Sequence, residues 1–544
     1  MPRLSVVVLA LCAVAAAAQP TVPVGVVWTI PEDSVQALAD LAAMEEAGVR
    51  AVQTDLVESD AVLAVADRRG IALYQNLPVA NLPAERLRDT LAFADRTLRE
   101  ALARSRPYRS ARHFGLAVGS DTSDPAACGY FERLHRVIDE NGPPGSTAYY
   151  VSRFVEADVC RSAVDLVLLD ARDEDPAGVL ARGRRALTGT ALGLGAVGWA
   201  VEPGATEGHR VPGSTARQAR ALEEAVPEAL ALDPYALFVY RWRDSDADAA
   251  LLATDATMTE YGLHDADGQP RPALDVVRGL YTGQQTLFAL DAGYPPQGRR
   301  PTLLVMVGWL LVLSLAFLHW NTPTFQLLAT EHLVRPTMYQ DAVRRARGVE
   351  GWPTAALAGV LALSFGVVWG IALRTLGHTE VLTLLASGLP EHILRGLNLL
   401  LRQPALLVVL LASLYTLGLL LNVILMAVLA PPNRLLPAQA LTLAVWARSL
   451  MLLPLGVAMV VASQPPSLGL ALAALGLLAA WLVLELVAQV RSLIDLAGVA
   501  RMGLGRVLGV GFLVPFVLTL LTLGFVAAAA RPELLFLWHV VTRS

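Results

Sequence analysis

Two regimes of hydrophobic patterning divide this chain near residue 300. Before that point, short apolar runs alternate with stretches in which apolar residues recur every three or four positions. The short runs predict strands at 24–30, 48–55, 71–76, 113–119, 147–152, 164–170, 191–198 and 236–242. The periodic stretches predict helices at 33–46, 58–69, 84–105, 126–140, 176–187, 214–230 and 272–281. The fifth connection, around 153–162, is short and carries no clear helical pattern. Alternating strands and helices imply parallel pairing with right-handed crossovers. Eight such units in 19–281 match the size of an α/β (β/α)8 TIM barrel. A doubly wound open sheet is the alternative, although no Gly-x-Gly-x-x-Gly follows the first strand.

Residues 282–301 read as a linker, because Gly293-Tyr294-Pro295-Pro296-Gln297-Gly298 cannot continue a helix. Long apolar segments follow at 303–320, 353–373, 404–430, 441–462, 467–490 and 508–530. Each has about the 20 residues that a helix needs to cross a bilayer. The expectation for 302–544 is an all-α transmembrane bundle of six spans, in contact with membrane lipid.

Composition agrees with a two-part molecule. Of 544 residues, 54% are hydrophobic and 17% charged, and the mean hydropathy is +0.49. That is too apolar for one soluble protein and too charged for a membrane domain alone. The net charge of −5 and the lack of a basic stripe with interleaved aromatics argue against nucleic acid as a partner. All 43 basic residues are arginine, so no lysine nucleophile or Schiff base is available. Nothing in the sequence calls for a cofactor or a metal.

The first 18 residues read as a signal peptide: Arg3, an apolar core from Leu4 to Val14, and Ala16-Ala17-Ala18 before Gln19. Leu11 precedes Cys12 where a lipobox has a small residue. An uncleaved anchor helix is the rival reading. Either one makes this an integral protein of the cytoplasmic membrane with an extracytoplasmic barrel. The arginine distribution around the spans is nearly neutral and does not set the orientation by itself. Two cysteines remain, Cys128 and Cys160, and an even count in an exported domain favours a disulfide over two buried thiols.

The chemistry-bearing motifs lie near the predicted ends of strands four, seven and eight. Residues 190–200 read Thr-Ala-Leu-Gly-Leu-Gly-Ala-Val-Gly-Trp-Ala. Trp242-Arg243-Asp244 ends strand eight, and Glu260-Tyr261-Gly262-Leu263 and Asp267-Gly268-Gln269-Pro270-Arg271-Pro272-Ala273 lead into the last barrel helix. Phe114-Gly115-Leu116-Ala117-Val118-Gly119 is followed by Ser120-Asp121. These segments resemble family 2 and related (β/α)8 glycoside hydrolases. In that family strand seven ends in Glu-x-Gly with Glu as nucleophile, strand four ends in Gly-Asn-Glu with Glu as acid/base, and strand eight carries Trp-x-Asp. Here the nucleophile position is Ala196 and the acid/base position is Asp121, one methylene shorter. Gln53 stands on strand two where the family has an arginine, and strand six lacks the family's Asn-x-Tyr. A retaining mechanism needs two carboxylates about 5–5.5 Å apart, and an alanine cannot attack a sugar carbon.

The resemblance therefore implies a degenerate hydrolase: a membrane-anchored, extracytoplasmic pseudo-glycosidase that binds a glycan or polysaccharide, or scaffolds envelope proteins. Trp28, Trp199 and Trp242 are the candidate stacking platforms at the mouth, with Asp170 and Asp244 as hydrogen-bonding neighbours. A flat indole stacks on a pyranose by dispersion alone. One rival is an active glycosidase using Asp121 with a displaced partner, Glu202. The other is a transporter or sensor whose bundle does the work, with the barrel as docking module. In the bundle, Asn422, Arg448 and Glu485 stand at similar depths. Charges in hydrocarbon are costly, so these three are expected to face one another inside the bundle.

Overall fold

In the computed structural model, the residues described are 22–202, 205, 207–244, 260–294, 302–346, 351–377, 382, 391–430, 435–464, 468–513 and 531–543, with single positions between 516 and 528. The signal peptide, part of the linker and most of the sixth span lie outside them.

The first half is a closed barrel of eight parallel strands in chain order: β1 (Val24–Trp28), β2 (Ala51–Asp55), β3 (Ala72–Asn76), β4 (Ala111–Val118), β5 (Thr147–Ser152), β6 (Leu166–Arg172), β7 (Ala191–Gly198) and β8 (Leu237–Val239). Its helices are α1 (Ser34–Glu46), α2 (Asp60–Arg69), α3 (Ala84–Ser105), α4 (Cys128–Asn141), α5 (Pro176–Ala186), α6 (Thr215–Leu230) and α7 (Pro272–Thr282). No helix joins β5 to β6, only a single 3-10 turn at Arg161–Ala163. Closure of β8 on β1 rules out the open sheet.

Local signals place these elements. Asp33, Asp175 and Ser214 cap the first turns of α1, α5 and α6 with side-chain oxygens. Gly70 ends α2 in the left-handed conformation. Inside the barrel, Tyr74, Tyr149 and Phe238 meet edge to face with ring centroids 4.9–5.5 Å apart. They fit because β4 carries Gly115: a Cβ there would lie 2.8 Å from the Tyr149 ring. The barrel is thus a packed core with its working face at the C-terminal ends of the strands.

The second half is a helical bundle: α8 (Leu303–Asn321), α9 (Pro323–Val334), α10 (Pro336–Arg344), α11 (Gly351–Gly377), α12 (Glu391–Arg402), α13 (Pro404–Leu429), α14 (Pro437–Trp446), α15 (Leu453–Ala462), α16 (Leu468–Ala500), α17 (Leu504–Leu508) and α18 (Arg531–Arg543). Among the described residues, α8, α11, α13 and α16 are each long and apolar enough to span a membrane. The fourth expected span is broken: Pro437–Trp446 and Ser449–Ala462 are bent by 48°. The break falls at Ala447-Arg448, where Arg448-Ser449 briefly interrupts the apolar pattern.

Candidate functional site at the barrel mouth

Ala196 and Asp121 lie at the same rim, as the topology of the resembled family requires. Ala196 pairs in register with Asp170 on β6. Asp121 stands three residues beyond the end of β4. The two are in different surroundings. Ala196 faces a cavity of about 90 Å³ at the centre of the mouth, whose walls include Trp28, Gln53, Thr54, Asp55, Asn76, Asp170 and Arg241. Asp121 is not among the cavity's lining residues and is 2% exposed. Its Oδ1 accepts from Ser123 N at 3.2 Å and Ser123 Oγ at 2.7 Å. Its Oδ2 lies 2.7 Å from Nδ1 of His539, on α18 at the far end of the chain.

Asp170 lines the cavity and is tied to Arg172, with Nε at 3.0 Å and Nη2 at 2.7 Å. Burial alone raises its pKa, but the Arg172 charge and hydrogen bonds outweigh burial and hold the carboxyl below the usual range. It is an ionised, paired carboxylate. Arg172 also lies over the Tyr240 ring, 4.9 Å from its centroid.

Asp55, the last residue of β2, behaves in the opposite way. Burial pushes its carboxyl up to about 7, against a weaker lowering effect from a backbone hydrogen bond. Beside it, Gln53 Oε1 and Thr54 Oγ1 are buried, with no hydrogen-bond partner among the described residues. Asn76 Oδ1 accepts from Tyr149 Oη at 2.7 Å. Sequence reasoning missed Asp55, although a carboxylate ending a barrel strand is a legible signal.

The remaining expected site residues are largely structural. Trp28 is 2% exposed, with Nε1 donating to Asp40 at 3.2 Å. Trp242 is 1% exposed and packs on the His264 ring. Neither offers an open face for a sugar to stack on. Trp199 is half-buried against the barrel core, and its carbonyl accepts from Gln218 Nε2. Asp244 is buried, with Arg241 Nε at 3.1 Å and Arg271 Nη1 at 2.7 Å, and it accepts from the amides of Tyr261 and Gly262. The Trp-x-Asp motif thus holds the β8–α7 connection to the barrel. Glu202 sits in the β7–α6 loop against Gly213, away from the cavity walls.

No family model and no curated protein matches this chain. Among solved structures, it is similar to a GH2 beta-galacturonidase from Eisenbergiella tayi bound to galacturonate, at 16% identity over 48% of this chain and 51% of that chain, with a TM-score of 0.43. It is similar too to an uncultured Clostridium sp. beta-glucuronidase, at 15% identity over 48% and 50%, with a TM-score of 0.41. A third is the beta-D-glucuronidase of Dictyoglomus thermophilum, at 16% identity over 48% and 51%, with a TM-score of 0.42. The chain spans about half the length of these structures. These are likenesses of fold.

Two expected constellations are formed outside the mouth. Cys128 and Cys160 are bonded, with Cα atoms 4.8 Å apart. In the bundle, Arg448 sits at the break between α14 and α15, with Nε 2.8 Å from Glu485 Oε1 on α16. Asn422 joins the cluster indirectly: it donates to Gln489 Oε1, which also accepts from Arg448 Nη2 at 3.0 Å.

Proposed function

We propose that the protein is a membrane-anchored, extracytoplasmic pseudo-glycosidase whose barrel binds a glycan without cleaving it. The observation that carries this reading is the exchange of roles at the rim. A methyl group, Ala196, faces the cavity where a nucleophile belongs, and the carboxylate at the acid/base position, Asp121, is engaged by Ser123 and His539. Neither is placed to act on a glycosidic bond. Gln53, Asp55 and Asn76 give the cavity a polar wall, a lining that suits sugar hydroxyls. A volume of about 90 Å³ is small beside the ~300–1,000 Å³ of pockets that bury a whole small ligand. It accepts the hydroxyls along one edge of a sugar, not a buried ring. The Cys128–Cys160 disulfide supports an extracytoplasmic setting.

A second reading is favoured by one observation. Asp55 carries a pKa suited to a general acid and shares the cavity with ionised Asp170. A displaced hydrolase would use that pair rather than Asp121 and Glu202. The full chain in nanodiscs separates the readings: binding of oligosaccharides without product supports the pseudoenzyme, and turnover lost in Asp55→Asn supports the hydrolase.

A further inference from the structure

The chain enters and leaves the bundle at the same face of the barrel. The last barrel helix, α7, runs antiparallel to the strands and ends at Thr282, at the face opposite the mouth. The linker then climbs the barrel wall. Phe288 N donates to Glu223 midway along α6. The amides of His209 and Arg210, in the β7–α6 loop, donate to the carbonyls of Asp291 and Ala292. That loop belongs to the mouth rim. Only from there does the chain proceed to α8, the first span.

The return connection reaches the same face. On α18, His539 bonds Asp121 after β4, Glu533 pairs with Arg86 Nε at 3.0 Å in the first turn of α3, and Phe536 packs on Phe154 after β5 with centroids 6.2 Å apart. All three barrel partners lie at the C-terminal ends of strands or the N-terminal ends of helices. Next to Phe536, Leu537 packs against the bundle cluster that includes Leu376, Leu401 and Ala474, so α18 touches the barrel and the bundle at one point. Leu376 is at the end of α11, and Leu401 and Ala474 lie near the starts of α13 and α16. The mouth rim therefore abuts one end of the bundle.

We infer that the barrel mouth opens toward the bilayer and takes a glycan carried on a membrane lipid, rather than one free in solution. The ligand half of this inference rests on the glycan reading above; the orientation does not. The Asp55 cavity is small, about 90 Å³, and takes one edge of a sugar, so a ligand presented from the membrane surface with its lipid anchored in the bilayer needs no large pocket to be retained. Tethering holds the sugar at high effective concentration before any contact forms.

Two arms test it on the full chain in nanodiscs, with the native disulfide intact. In the first, a fluorophore is placed at Glu174→Cys, at the rim end of α5, or at Thr188→Cys, past its other end, and the discs carry headgroup-nitroxide lipid. The Glu174 probe should be quenched at least twofold more than the Thr188 probe. Equal quenching, or stronger quenching at Thr188, overturns the orientation. In the second, discs doped with glycosyl diacylglycerols or polyprenyl-phosphate sugars are compared with the same sugars added as soluble methyl glycosides. At least tenfold tighter binding of one lipid-borne sugar is expected, and it should be lost in Gln53→Ala. Equal affinity from solution overturns the ligand claim and leaves the glycan reading standing. Binding of neither form overturns both, while the quenching arm still decides orientation.

Discussion

His539 and Asp121 lie 418 positions apart in sequence, and 2.7 Å separates their side chains. This contact fastens the last described helix to Asp121, the carboxylate proposed above to stand at an acid/base position. A double-mutant cycle on Asp121→Asn and His539→Ala, read by thermal unfolding of the barrel, should give a coupling of about 1.5–3 kcal/mol, the range for hydrogen bonds to charged groups. Strict additivity would show that the contact contributes nothing to holding the two halves together.

In the bundle, Glu485→Gln should lower stability in detergent by leaving Arg448, whose side chain is 4% exposed, without its counter-charge. The Glu485 side chain is 33% exposed, so the loss should fall below the ~3–5 kcal/mol typical of a fully buried pair. Replacing both residues with leucine should recover much of it. A double variant no more stable than Glu485→Gln would contradict the pairing.

Reduction of Cys128–Cys160, or Cys128→Ala with Cys160→Ala, should cost the barrel about 3–4 kcal/mol for a loop of this length in the chain-entropy model. Denaturant unfolding with and without reductant measures it. An unchanged midpoint would mean that the β5–β6 crossover, which lacks a helix, holds itself.

Asp55 makes barrel stability pH-dependent with a definite sign. Its folded pKa is pushed up to about 7 by burial, above the ordinary carboxyl value of 3.8. The folded state therefore binds the proton more tightly, and this contribution is fully present below about pH 4 and lost as pH rises through 7. Asp55→Asn should flatten the stability profile between about pH 4 and 7 and raise stability at the alkaline end. A wild-type profile already flat across that window would show that the carboxyl is not desolvated.

Most of the barrel was legible because each of its elements carries a local signal. The helix at Ala84–Ser105 has a clean apolar stripe, and the β5–β6 connection lacks one, as the structure bears out. The pairing of Arg448 with Glu485 was legible because helix rise alone fixes depth. The site was less so. Trp28 and Trp242 were assigned to the mouth by strand position, but strand position does not say whether a ring is covered, and Asp40 and His264 cover them. The hold of His539 on Asp121 is a contact between distant segments, with no periodicity to betray it. The break at Arg448 is marked in the sequence by Arg448-Ser449, too slight an interruption of a long apolar run to separate a bent span from a straight one.

The most direct test of the central claim is hydrolysis of a panel of aryl glycosides by the full chain in nanodiscs, followed against discs without protein. If, as proposed, Ala196 stands where a hydrolase would hold its nucleophile and Asp121 is held by His539, no product should be released above the background rate, because loss of an activated nucleophile costs many orders of magnitude. Turnover by the wild-type chain that disappears in Asp121→Asn or Asp55→Asn would contradict it.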